Sequence, residues 1–198
     1  METVKQDPPS RRRHSSWPVF LGAALGVLSI ALFVWWKVSL AQFYMNSAPP
    51  GAGVSRMIYH HAKVYGFGPG GNEVILVMYK MKENAAQRLI ADPVAFLEGL
   101  PQHGHPTHIC SRYSDWRETP MPRIAAIGDR SDGDPSAPIT LDEWKNRYGF
   151  GFEFHPYKKY HEQLDRTFSH PGAYFSRGRC GVFFLIPEQR LAAFMHVG

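Results

Sequence analysis

Between Trp17 and Trp36 the chain runs for twenty residues, WPVFLGAALGVLSIALFVWW, without a charge and with Ser29 as its one polar side chain. As a helix rising about 1.5 Å per residue, this stretch is about 30 Å long, the depth of a bilayer's hydrocarbon core. Trp17 at one end and Trp35 and Trp36 at the other fall where indole rings favour the two water interfaces. Such a segment is either a membrane anchor or the apolar core of a signal peptide, and Ser39-Leu40-Ala41 offers a small-x-small cleavage site. Secretory cores usually run about 7–15 residues, whereas this one is longer and ends in Trp-Trp-Lys. The expectation is therefore an uncleaved anchor over residues 17–37.

Arg11, Arg12 and Arg13 precede the anchor and only Lys37 follows it closely. The positive-inside bias then makes residues 1–16 a basic cytoplasmic tail and places the rest beyond the membrane. No N-x-Ser/Thr glycosylation acceptor occurs, which favours a bacterial inner membrane with a periplasmic C-terminal domain. Gly22 and Gly26 form a GxxxG pair that lets two such helices approach, so a homodimer through the anchor is open.

The net charge of +5 looks basic, but its distribution matters. Lys5, Arg11, Arg12, Arg13 and Lys37 account for most of it, and the remainder is close to balance, with 17 basic and 15 acidic residues. A basic tail beside anionic lipid explains this better than a nucleic-acid-binding face, so nucleic acid is excluded as an expected partner.

Residues 38–53 read as a linker ending in Ser47-Ala48-Pro49-Pro50-Gly51-Ala52-Gly53. Residues 54–198 then form one domain, large enough for a single core. Residues 54–65 are ambiguous between strand and helix, and Gly66 to Gly71 reads as a turn into a strand at Glu73–Met81. An apolar stripe through Ala86, Leu89, Ile90, Phe96, Leu97 and Leu100 predicts helix over 83–100, broken or kinked at Asp92-Pro93. Thr140-Leu141-Asp142-Glu143 is a capping box, and Tyr157, Tyr160, Leu164 and Phe168 give a further helix one apolar face. The end reads as three strands, Ala173–Arg177, Gly181–Ile186 and Leu191–Val197. This order predicts an α+β fold: helices on an antiparallel sheet, the N-terminal strand joining a C-terminal hairpin and the outer sheet face left for a partner.

Two cysteines, Cys110 and Cys180, lie on the exported side, where the simplest expectation is a disulfide between them. A nucleophilic Cys110 beside His108 is the weaker alternative. Between 101 and 139 the chain lacks periodicity, and it contains His103, His105 and His108, three imidazoles within six residues. Neutral imidazoles at this density suit zinc, copper or nickel. The H-x-H-x-x-H spacing is similar to the metal-binding loop of the metallo-β-lactamase superfamily, HxHxDH. Thr107 stands at that family's Asp position, which serves the second metal or the attacking water. The similarity spans these six residues, and the family's larger fold does not fit a domain of this size.

Among carboxylates, Asp115, Glu118, Asp129, Asp132, Asp134, Asp142 and Glu143 could do acid–base work, but none sits in a recognisable catalytic motif, and DRSDGD lacks the spacing of a calcium loop. His60-His61 face opposite ways if their segment is a strand. His155, His161 and His170 bracket a helix, with His161 suited to a hydrogen-bonded packing role. Tyr113, Trp116 and Arg117 are the residue types that anchor protein interfaces, while Phe150 and Phe152 suit the core. The reading that follows is a membrane-anchored periplasmic domain that binds a protein rather than catalysing, as an envelope accessory or an immunity-type inhibitor of a toxin. The alternative is a zinc-dependent hydrolase or metal-binding protein built on His103, His105 and His108.

The first reading expects the full chain to purify folded and metal-free. About one zinc or copper per chain by elemental analysis, lost when His103, His105 and His108 become Ala, would replace it with the second.

Overall fold

A computed structural model of the chain describes residues 17–65, 73–101, 112–123, 134–147 and 153–198. The chain divides into two compact units, Met1–Leu40 and Ala41–Gly198. The apolar stretch is helical, as its composition requires. Helix α1 spans Trp17–Met45, and it contains a segment, Leu25–Met45, long and apolar enough to cross a membrane. In the first unit Leu25, Val27, Leu28, Ile30, Leu32 and Phe33 are exposed, and the Lys37 ammonium lies 4.9 Å from the centre of the Trp36 ring.

The expected linker at 38–53 is structured instead. Residues up to Met45 are helical, and Ser47, Ala48 and Ala52 are buried. The cause is Tyr44: its ring packs 4.3 Å from that of His60, and its carbonyl accepts from the Tyr79 hydroxyl at 2.7 Å. Small side chains then let the following turn lie close to the domain. Gly53, at φ +74°, is one place where glycine is required, since a Cβ there would stand 2.1 Å from the Ala85 Cβ.

The second unit is built on a six-stranded sheet in the order β1-β2-β6-β5-β4-β3, antiparallel throughout. Its strands are β1 (Val54–Val64), β2 (Glu73–Met81), β3 (Arg117–Glu118), β4 (Tyr174–Gly178), β5 (Gly181–Ile186) and β6 (Leu191–Val197). The ambiguous segment 54–65 is strand because β2 supplies a ladder along its length, with two register shifts. The turn expected at 66–71 lies outside the described residues. β2 pairs with β6 from Val74↔Val197 to Lys80↔Leu191, which joins the N-terminal strand to the C-terminal hairpin.

The helices follow their local signals. Asp92 caps α3 (Pro93–Glu98) by accepting from the Ala95 amide, which separates it from α2 (Glu83–Ala91). The capping box opens α4 (Leu141–Asn146): Thr140 Oγ1 accepts from the Glu143 amide, and the Glu143 carboxylate accepts from the Thr140 amide. α5 runs Lys158–Ser169 with Leu164, Thr167 and Phe168 buried, whereas Tyr157, expected on that apolar face, is its exposed N-cap.

Alternation along the strands explains both cores. Val74, Leu76 and Met78 of β2, Val182, Phe184 and Ile186 of β5, and Ala193 and Met195 of β6 share one cluster with Trp144, Leu164 and Phe168 of α4 and α5. The alternate residues Val77, Tyr79, Phe183, Leu185 and Ala192 are equally buried. Over that second face, the Tyr113 ring lies 5.3 Å from Phe183 and its hydroxyl donates to the Ser47 carbonyl at 3.2 Å. The expected free outer face is therefore closed. β5 and the Val74–Tyr79 part of β2 are apolar and need cover on both sides, and Tyr44–Ala52 and Tyr113 contribute it.

Gly53→Ala combines a left-handed backbone with a clash against α2, and is expected to destabilise the domain by about 2–4 kcal/mol in urea unfolding. Ala at Gly22, where nothing lies within 4 Å, should leave the transition unchanged.

Candidate interaction surface

Residues 113–118 run beside β4, with Tyr113 bridged to Gly178 and Arg117 opposite Phe175. This pairing fixes what each side chain does. Tyr113, expected at an interface, is only 3% exposed and belongs to the second core, where burial pushes its phenol well above the ordinary range. The Ser176 hydroxyl, also buried, donates to the Ser114 carbonyl and holds the turn. Asp115 then takes a left-handed φ of 53°. That reversal leaves Trp116 half-buried, its ring 6.2 Å from Tyr113, and Arg117 exposed.

Two hollows flank the turn and share Ser114 and Asp115. One is a groove of ≈ 380 Å³ between α3 and the turn, with Val94, Leu97, Leu100 and Trp116 as its apolar lining and Glu98 and Asp115 as its acidic members. Val94 is 65% exposed there, an apolar side chain at the edge of the groove. The other, of ≈ 190 Å³, contains Arg117, Phe175 and Arg177. Because Arg117 is the ladder partner of Phe175, Arg177 two residues on projects from the same side of the sheet. Neither arginine forms an ion pair among the described residues. Trp116 and Arg117 were legible as residue types. Val94 and Arg177 were not, since only the packing of α3 and the register of β4 bring them to the turn.

The remaining sequence candidates divide sharply. His103, His105, His108 and Cys110 lie outside the described residues, as do Asp129, Asp132, Phe150 and Phe152. Cys180 is disulfide-bonded. His60 and His61 do face opposite sides: the His60 ring lies tilted 4.3 Å from that of Tyr44, and His61 lies 4.8 Å from the Phe154 ring. Burial lowers the His61 pKa, with Lys63 and His155 adding to the effect. His170 contacts the Arg166 carbonyl at 3.2 Å. Among the described residues, no three His, Cys, Asp or Glu side chains gather as a metal site.

Most of the described carboxylates have structural work. Glu118 accepts from the Gly172 amide, and Asp134 accepts from the Ser136 amide and hydroxyl, which lower its pKa. Glu143 closes the capping box and also pairs with Arg123 at 2.6 Å. Asp142 bridges Lys145 at 2.7 Å and His161 at 3.3 Å. Lys145 is 8% exposed at its side chain, and its ammonium also donates to the Phe154 carbonyl at 3.3 Å.

Lys145 first, and His161 after it, hold the Asp142 carboxyl below its ordinary value. A depressed carboxylate contributes stability above its unfolded value, near 3.8, and that contribution is lost as pH falls through the lower folded value. Asp142→Asn is expected to cost about 1 kcal/mol at pH 7, the carboxylate being largely solvent-screened, and to flatten the loss of stability below about pH 4. Urea unfolding at pH 7 and pH 2.5 reads both.

Compared with family models, with curated proteins and with solved structures, the chain matches none.

Proposed function

We propose that the chain is a single-pass membrane protein whose extracytoplasmic domain binds another protein through the surface around Trp116. The apolar helix α1 supports the anchor, and the arginines ahead of it support a cytoplasmic N-terminus in a bacterial inner membrane. The observation that carries the binding role is Trp116: half-buried in a groove beside a 65% exposed Val94, with two uncommitted arginines on the other side of its turn. Tryptophan and arginine around an apolar hollow are the usual centre of a protein interface, and a free Val94 gains from being covered. An apolar side chain of the partner fills the groove, and a carboxylate of the partner meets Arg117 and Arg177. An envelope accessory protein or a toxin-neutralising immunity protein fits this description equally.

A photo-activated cross-linker at Val94 in intact cells is expected to give one discrete adduct, absent when it sits at the exposed Tyr157. With the partner in hand, Trp116→Ala is expected to weaken binding by about 2 kcal/mol, roughly thirtyfold in Kd. No adduct at Val94, or the same adduct at Tyr157, would remove the proposed surface.

A further inference from the structure

A second surface has different chemistry. Met45, the last residue of α1, begins a groove of ≈ 420 Å³ whose other members include Asn46, Pro49, Lys82, Asn84 and Arg88. None of its lining residues is acidic. Glu83, the nearest carboxylate in sequence, is held by Arg190 instead. Lys82 and Arg88 form no ion pair among the described residues. Two cations, Lys82 and Arg88, and two side-chain amides thus line the groove that begins where α1 ends, the Arg88 guanidinium also lying 5.5 Å from the centre of the Phe96 ring.

The geometry points to a binding site for the phosphate headgroup of an anionic phospholipid, with Lys82 and Arg88 as its charged contacts. This rests on the anchor reading of α1. Met45 follows Trp36 by nine residues, at most about 14 Å along a helix. The polar layer of a bilayer is roughly 5–8 Å deep on each side, and long basic side chains reach several ångströms further into it. An anionic headgroup is therefore the one abundant negative ligand that the anchor brings to this groove. Asn46 and Asn84 add amide donors for phosphate oxygens.

The full chain, solubilised in detergent and offered equal phosphatidylglycerol and phosphatidylcholine, tests this by native mass spectrometry of bound lipid. The wild type is expected to retain phosphatidylglycerol in about ten- to thirtyfold preference, the size expected of two cations at an anionic surface. Lys82→Glu/Arg88→Glu should abolish the preference, and Lys158→Glu/Lys159→Glu on α5 should keep it. Lys82→Gln/Arg88→Gln, which removes charge with little change in size, provides the same reading if the reversal fails to fold. Equal retention of both lipids by the wild type, preference surviving in the groove variants, or equal loss in the α5 variant would each overturn the site. Carbonate extraction of native membranes reads the anchor separately: a chain released by carbonate refutes the anchor, and a retained chain without lipid preference refutes the groove alone.

Discussion

Pairing between β2 and β6 holds the domain together. β2 lies at its front, β6 at its end, and seven residue pairs join them from Val74↔Val197 to Lys80↔Leu191. Closing so long a loop costs entropy that grows only slowly with length, but the cost must be met before the contacts form. What offsets it is burial on both faces of β2, where residues 74 to 79 are all buried. α4 and α5 pack on the face that carries Val74, Leu76 and Met78, and the 44–52 turn packs on the face that carries Tyr79.

Cover on the second sheet face ties the end of α1 to the sheet. Tyr44 and Ser47 both present carbonyls to buried phenols, of Tyr79 and Tyr113. A buried hydroxyl without an acceptor is costly, so these bonds fix where residues 44–47 sit. The same segment forms one wall of the basic groove at Met45 and Asn46. Tyr113, three residues from Trp116, shapes the other candidate surface from beneath.

Charge use separates structure from function in the described residues. Asp142, Glu143, Glu83 and Glu153 are each engaged by a basic group, and Glu118 and Asp134 accept backbone hydrogen bonds. Such carboxylates stabilise turns and helix ends and are poorly placed for acid–base chemistry. Several described cations form no ion pair, among them Arg117 and Arg177 at one hollow and Lys82 and Arg88 at the other. Recognition of acidic or phosphorylated groups at these hollows is what the proposals above draw from that arrangement.

The sequence by itself determined whatever depends on neighbours along the chain. The apolar helix, the Asp92 break, the Thr140 capping box and the strands Gly181–Ile186 and Leu191–Val197 all follow from residues within a few positions of each other, as does the α+β class. Trp116 and Arg117 were legible by residue type for the same reason. Tertiary structure decided whatever depends on partners distant in sequence. Residues 54–64 became strand because β2 offered a ladder, residues 41–53 became part of the domain because Tyr44 found Tyr79 and His60, and Tyr113 became core because Phe183 lay beneath it. The grooves belong to the same class. Val94 beside Trp116, Arg177 beside Arg117 and Arg88 beside Asn46 meet only through packing, and no periodicity in a linear sequence encodes which faces will meet.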